Sequence, residues 1–416
     1  MRTVIVVALL ECATCATTLG CSSSPSSRAS GPDAGPDGEG DSATDLVDGA
    51  ADASCPAPDG ATTTISPASI PPLVVAGDTG SVDGISDPSL SWPSGSAAGY
   101  LSYSTLQSTS LFTRIAKTTD GKSFTYLNDA NAYLDLAVTT ADTGVCGSST
   151  CNGRLVHETS SLIDDPLDPD PTRRFKLFDY SYVIVPNATP PAQHAWGYIG
   201  LYTAAAPEKG WSAGSKAVGW ISTAPTVSSD GAATVLSTVP ALQDCGAFTE
   251  PAALVDSASG DLYLALGCAL QSSARVMLLR SVDHASTFSY VGVLLDVADG
   301  TSLGSTLPGL MPTDFFQIGG VTYLIVSTFG STPVVPNAPT GYTSCTTVRV
   351  DDLASASVQR DGQGNAIPLR KLVAPGGTFA GACAFNPQFA TGYLVDEVTV
   401  DGGTPNQVFA SGIECP

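Results

Sequence analysis

The sequence predicts an all-β fold, a five-bladed β-propeller formed by residues 64–416. Its apolar residues alternate in short runs bounded by Gly, Asp, Ser and Pro, as in 173–185, 261–270 and 320–329, a pattern typical of strands joined by tight turns. No segment keeps a helical spacing of apolar residues over three turns. A third observation is a repeat, in which a carboxylate or amide residue opens a strand–turn–strand unit five times.

The repeat predicts the number of blades. Successive unit openings are 78, 85, 64 and 72 residues apart, and a period of this length in an all-β chain is typical of propeller blades whose first strand lines a central channel. The last unit is too short for four strands, so we expect a strand from residues 64–84 to complete it. The openings are Asp87-Pro88, Asp165-Pro166, Glu250-Pro251, Asp314 and Asn386-Pro387.

The first 60 residues predict export and a linker. Arg2 precedes an apolar run at 4–10 and then small residues that end at Cys21, the order of a signal peptide over residues 1–21. The Leu-Gly-Cys end resembles a bacterial lipoprotein signal, which implies a diacylated Cys21; plain secretion is the alternative. Residues 22–60 have eight acidic residues and few large apolar ones, which predicts a disordered acidic tether. We therefore expect an outer-membrane or cell-surface lipoprotein, otherwise a secreted protein.

The charge balance limits the possible partners. Lys and Arg number 17 against 39 Asp and Glu, a net charge of −22, so the chain repels nucleic acid and anionic lipid surfaces. No apolar run approaches the ~20 residues of a membrane-spanning helix. We expect a monomer that contacts a membrane only through its lipid and does not bind nucleic acid.

The cysteines predict four disulfides. Eight of the eleven lie beyond the signal, and an even number in an exported chain indicates disulfide bonding. Spacing favours the pairs Cys146–Cys151 and Cys245–Cys268, and elimination then gives Cys345–Cys383. The fourth predicted pair, Cys55–Cys415, would join the two chain ends.

The unit openings resemble those of five-bladed propeller glycosidases of the arabinanase, xylosidase and fructosidase kind. That resemblance implies a channel with three carboxylates: Asp87 as base or nucleophile, Asp165 as the second carboxylate, and Glu250 as general acid. Asp164 is an equal candidate for the second position. The sequence departs from the family pattern in lacking an Arg before Asp165. Asp-Pro and Glu-Pro are also ordinary turn residues, which is the structural alternative for each position.

The implied function is hydrolysis of glycans. Glycoside hydrolysis needs one protonated and one ionised carboxyl group across the scissile bond, and acids clustered in a funnel have separated pKa values. Trp92, Trp196 and His194 are expected to line the funnel and bind the carbohydrate. The alternative function is a non-catalytic cell-surface propeller that binds glycan or protein.

Residues 281–288 (SVDHASTF) resemble the Asp box of sialidase-like propellers, and 118–124 a shortened version. Such a box forms a hairpin turn, so its expected role is structural. We expect neither a cofactor nor a metal ion, because the chain has no CxxC pair and its three histidines are scattered. An acidic turn at 164–170 could bind calcium, but a proline-broken turn is the favoured interpretation.

Overall fold

The computed structural model describes residues 61–64, 71–82, 84–107, 110–138, 150–185, 192–219, 231–270, 272–330, 341–373, 379–397 and 407–412. Within these ranges it is almost entirely β-structure. Over the same residues, no helix has the length and apolar character needed to cross a membrane.

The first strand among the described residues is β1 (Ala61–Thr64), which belongs to the fourth sheet, and five sheets then follow in sequence order. The first sheet contains β2 (Val75–Ala76), β3 (Ile85–Ser91), β4 (Gly99–Gln107), β5 (Ser110–Thr118) and β6 (Phe124–Asp129). The second contains β7 (Leu134–Val138), β8 (Cys151–Asp164), β9 (Phe175–Val185), β10 (Ala192–Ala204), β11 (Ser215–Gly219) and β12 (Thr234–Val235).

The third sheet contains β13 (Ala247–Val255), β14 (Leu262–Ala269), β15 (Ala274–Ser281) and β16 (Ser289–Leu295). The short helix α1 (Asp299–Leu303) then precedes the fourth sheet. That sheet contains β17 (Leu310–Ile318), β18 (Val321–Gly330), β19 (Gly341–Asp352), β20 (Ser357–Val358) and β21 (Arg370–Val373), and the fifth contains β22 (Phe379–Ala384), β23 (Leu394–Glu397) and β24 (Gln407–Ala410).

The five sheets form a closed ring. Strand β3 packs against β8, β8 against β13, β13 against β17, β17 against β22, and β22 against β3. These five strands are therefore the innermost strands of five blades. The predicted five-bladed β-propeller is confirmed.

Each innermost strand contains a β-bulge where it pairs with the second strand of its blade. A bulge leaves one residue out of the hydrogen-bond ladder and turns its side chain in a new direction. Pro88 and Pro251 lie within two of these bulges, where a residue without an N–H group is tolerated. The acid-proline pairs at 87–88 and 250–251 thus mark bulges of innermost strands, whereas Asp165 lies beyond the end of β8.

Neighbouring blades are joined by buried hydrogen bonds from backbone to side chain. In each case an oxygen on one innermost strand accepts a bond from a backbone N–H of the next blade. Such bonds satisfy groups that would otherwise be buried without a partner. The acceptor and donor pairs are Ser89 with Leu162 at 3.1 Å, Ser161 with Ala253 at 2.9 Å, and Asp314 with Phe385 at 2.8 Å.

The ring closes between the N-terminal segment and the last blade. Leu73 N–H donates a 2.7 Å hydrogen bond to Val408 O, and Pro72 forms an isolated bridge with Phe409 of β24. Among the described residues of 64–84, an isolated bridge is the contact with the last sheet, in place of the expected strand, and β2 pairs within the first sheet. The earlier strand β1 pairs instead with β21, in the fourth blade.

Two predicted disulfides are confirmed. Cys245–Cys268 lies within the third blade, and Cys345–Cys383 joins β19 of the fourth blade to β22 of the fifth. For the other two pairs, Cys146, Cys55 and Cys415 lie outside the described residues. Those pairings, 146–151 and 55–415, stay predictions.

The hairpin turn at 281–288 is held by its own side chains. Ser281 Oγ donates to Asp283 Oδ1 at 2.7 Å, and Asp283 accepts from the backbone N–H of Thr287 at 2.8 Å. Phe288 is buried and meets Phe178 of the second blade edge to face, with ring centroids 6.1 Å apart. The turn therefore packs one blade against the next, a structural role.

Candidate active site

Three carboxyl groups lie at the bulges of three successive blades: Asp87 and Glu250 within the bulges of β3 and β13, and Glu158, still paired with Tyr180, directly before the bulge of β8. Each side chain is half-buried. The three strands pack side by side in the ring, which makes the acids neighbours. Burial raises the pKa of both glutamates, and the charge of Asp87 adds to the rise. The structure thus brings together Asp87 and Glu250, two of the three predicted carboxylates.

The bulges hold strained backbone. Asp87 has φ 50° and Glu250 has φ 53°, and in the second blade Thr159 has φ 49°. A non-glycine residue rarely adopts this left-handed conformation, and a β-branched one such as threonine does so at a cost of order 1–3 kcal/mol. The same backbone turn therefore recurs at the same place in three blades, and it aims a side chain out of each innermost strand.

Asp87 is the member of the cluster that is best prepared to carry a negative charge. Burial raises the pKa of Asp87 above its ordinary value, and hydrogen bonds from the hydroxyls of Ser104 and Ser86 and the backbone N–H of Thr159 oppose that rise. Ser86 Oγ donates to Asp87 Oδ2 at 3.2 Å, and the Thr159 N–H lies 3.4 Å from the same oxygen. Hydrogen-bond donors of this kind stabilise the ionised form.

Glu250 is prepared to hold a proton. Burial raises its pKa to about 8, with a further contribution from the charge of Asp87, while a hydrogen bond from Tyr342 opposes the rise. The Tyr342 hydroxyl donates to Glu250 Oε1 at 2.6 Å. At neutral pH this carboxyl is therefore mostly protonated, as a general acid must be.

Glu158 is the site residue that the sequence did not single out. Burial and the charge of Asp87 raise its pKa well above the ordinary value, against the opposing effect of the Tyr182 hydroxyl. Tyr182 is buried and stacks on Tyr180 at 4.7 Å between ring centroids. Three acids thus occupy one channel with different protonation tendencies, which is the arrangement that acid–base catalysis requires.

Asp165 has a different place from the one expected. It is fully buried, and its Oδ2 accepts a 2.8 Å hydrogen bond from Lys176 Nζ, which is also fully buried and bonds Asp168 at 2.8 Å. His284 of the third blade contacts the same Asp165 oxygen at 3.0 Å. The carboxylate is therefore committed to an ion pair within the second blade, and Glu158, not Asp165, is the second-blade acid whose pKa the charge of Asp87 raises. The alternative, Asp164, forms an ion pair with Arg174 at 2.6 Å.

Of the three side chains predicted to bind carbohydrate, the structure describes only that of Trp92. Trp92 packs edge to face on Phe389 at 5.2 Å, and its Nε1 donates to Ser96 O at 3.0 Å. This contact between the first and fifth blades is a packing role, so the expected stacking of Trp92 on sugar finds no support. His194 and Trp196 lie in β10, and their side chains are outside the described residues.

Two clusters among the described residues have the side-chain types that bind metal ions. In the first, Asp165, Asp168 and His284 surround a buried ammonium group, Lys176 Nζ, which supplies the positive charge of that site. The second contains Cys245 and Cys268, whose sulfurs are bonded to each other. Neither arrangement has free ligands for a cation.

Comparison with known proteins gives similarity in structure only, since neither a protein-family model nor a curated protein sequence matches the chain. An arabinanase of Bacillus subtilis is 12% identical at a TM-score of 0.43, over 78% of this chain and 92% of that one. An α-L-arabinofuranosidase of Podospora anserina is 12% identical at 0.43, over 84% and 94%. A fructofuranosidase of Schwanniomyces occidentalis is 8% identical at 0.46, over 82% of this chain and 58% of that one.

Proposed function

We propose that this protein is a glycoside hydrolase in which Glu250 is the general acid, Asp87 the base or nucleophile, and Glu158 the third carboxyl group of the site. The observation that carries the proposal is the placement of these three acids at or beside the bulges of three neighbouring innermost strands. Burial raises the pKa of Glu250 to about 8, whereas Asp87 accepts a hydrogen bond from the Ser86 hydroxyl. Cleavage of a glycosidic bond uses one protonated carboxyl group as the acid and one ionised carboxylate as the base or nucleophile.

In the proposed reaction, Glu250 gives its proton to the glycosidic oxygen as the bond from that oxygen to the anomeric carbon breaks. Asp87 either bonds the anomeric carbon, to be released later by water, or removes a proton from the attacking water. Burial and the charges of two neighbouring carboxylates raise the pKa of Glu158 well above its ordinary value, which favours its protonated form. Its O–H group then orients a hydroxyl of the sugar.

The proposal extends to cellular location. Residues 1–21 are proposed as an export signal with lipid attached to Cys21, and 22–60 as a tether for a monomeric propeller. A lipid-anchored chain would degrade glycans at the cell surface. Replacing Cys21 by Ser tests the anchor, because incorporation of labelled fatty acid should then stop while export continues.

The test of hydrolysis uses the full chain, purified and incubated with arabinan, xylan, fructan and aryl-glycosides. A Glu250→Gln variant should lose ~10²–10⁴-fold in kcat on polysaccharide, where the leaving group must be protonated. It should lose far less on a dinitrophenyl glycoside, whose leaving group departs without a proton. The anomeric form of the first product assigns Asp87 as nucleophile if retained and as base if inverted.

A matched control is Glu208→Gln. Glu208 also accepts a hydrogen bond from a tyrosine, Tyr100, but it is exposed and lies on an outer segment bonded to Lys117. This variant should keep the full rate. Equal losses from Glu250→Gln on both kinds of leaving group, or no hydrolysis of any substrate by the unaltered chain, would contradict the proposal.

A further inference from the structure

Tyr342 reaches the general acid from a different blade. It lies at the start of β19 in the fourth blade, whereas Glu250 is on β13 in the third. Its hydroxyl donates to Glu250 Oε1 at 2.6 Å, a short bond that is typical of O–H donors to carboxyl groups. The bond therefore fixes one of the two carboxyl oxygens from across the blade interface.

The ring of Tyr342 is itself held in position. It stacks on Phe329 with ring centroids 5.0 Å apart and planes 25° from parallel, and the two residues are directly paired between β18 and β19 at an irregularity in the ladder. Next to them, Thr328 Oγ1 shares hydrogen bonds with Thr343 Oγ1 at 3.0 Å and Ser344 Oγ at 2.5 Å. These contacts leave the tyrosine little freedom to turn away from Glu250.

The other oxygen, Glu250 Oε2, is buried, and among the described residues no group hydrogen-bonds to it. A negative charge on such an atom is costly, whereas a neutral O–H is tolerated. Because Oε1 already accepts a hydrogen bond from the Tyr342 hydroxyl, the acidic proton of Glu250 belongs on Oε2.

We propose that Tyr342 is a positioning residue for catalysis: by binding Oε1 it places the transferable proton of Glu250 on Oε2. The inference rests on the proposed function for its catalytic meaning. Tyr342 touches neither substrate nor reacting bond in this scheme, and it acts through Glu250 alone. The hydrogen bond from Tyr342 also stabilises the ionised form of Glu250, and so makes its proton easier to release.

The direct test is titration of the full chain labelled with carbon-13 at the glutamate carboxyls, followed by NMR. The chain has seven glutamates, so the signals are few, and Glu250→Gln assigns the one of interest. In Tyr342→Phe, which keeps the ring on Phe329, the pKa of Glu250 should rise by about 0.5–1 unit because a hydrogen bond to the charged form is lost. Tyr100→Phe is the matched control, since it removes the 2.8 Å bond to Glu208 and should leave Glu250 unchanged.

Kinetics supply the second readout. Tyr342→Phe should lower kcat on polysaccharide by about 10-fold or more with little change in KM, and should hardly affect a dinitrophenyl glycoside. A purely structural role would lower both rates together. The high-pH limb of the rate profile should move up with the pKa of Glu250.

The two proposals fail separately. An unmoved Glu250 pKa in Tyr342→Phe overturns the positioning role whether or not the chain hydrolyses glycans, as does an equal loss of rate on both leaving groups. A shifted pKa in a chain that hydrolyses nothing overturns the proposed function, and with it the catalytic meaning of Tyr342.

Discussion

The backbone N–H of Asp87 donates a 3.2 Å hydrogen bond to Asp396 Oδ2, and so joins the first blade to the last beside the active site. Asp396 is almost fully buried on β23. We predict that Asp396→Ala lowers the free energy of unfolding by about 1–3 kcal/mol, because it leaves the Asp87 N–H buried without its acceptor. Hydrogen exchange should quicken first in β3 and β23. If exchange there stays as slow as in the unaltered chain, this contact does not hold the seam.

Lys176 should matter for stability more than any exposed lysine. Its ammonium group is fully buried between Asp165 and Asp168, so Lys176→Met leaves two buried carboxylates without their cation. Removal of one partner from a buried ion pair typically costs about 3–5 kcal/mol. The control Lys117→Met removes a partly exposed pair with Glu208, which is worth at most about 1 kcal/mol. Denaturant unfolding compares the two, and similar losses would contradict the prediction.

The two confirmed disulfides should protect different parts of the ring. In the chain-entropy model, loops of 23 and 38 residues each contribute about 3–4 kcal/mol. Replacing Cys345 and Cys383 by Ser should loosen the contact between the fourth and fifth blades, since that bond joins β19 to β22. The Cys245–Cys268 pair should affect the third blade only. Hydrogen exchange of the two double variants tests this, and identical exchange patterns would disprove it.

Hydrolysis should fall at high pH. Glu250 acts as an acid only while protonated, and its pKa is raised to about 8, so kcat/KM should decline tenfold per unit above that pH. Replacement of Glu250 by Gln should abolish this limb along with the rate on unactivated substrates. A decline that begins near pH 5 would show that Glu250 is not buried as described, or that another group supplies the proton.

Two of the three carboxylates could be predicted because proline marks the bulges of their strands. In Asp87-Pro88 and Glu250-Pro251 the proline stands in the bulge, where no N–H group is needed for the ladder, and the acid stands before it. In the second blade the bulge is Thr159-Ser160, without a proline, and Glu158 directly precedes it. The acid-proline signal therefore pointed to Asp165, beyond the end of the strand.

A weaker signal for Glu158 exists in the sequence. Ser89-Leu90 follows the first bulge and Ser161-Leu162 follows the second, and both serines accept the same kind of bond from the next blade. Aligning the blades on this pair places Glu158 opposite Ser86, one residue before Asp87. The ion pair of Asp165 could not be predicted in this way, because Lys176 reaches it across a turn and is buried by the packing of a neighbouring blade.

The central claim, that Asp87, Glu158 and Glu250 form one coupled acid site, is tested most directly by glutamate titration in an Asp87→Asn variant. Asparagine keeps an oxygen for the Ser86 and Thr159 donors but removes the charge that raises the pKa of both glutamates. We predict that the pKa values of Glu158 and Glu250 both fall, while that of Glu208 stays unchanged. If neither Glu158 nor Glu250 moves, the three carboxyl groups do not share a site.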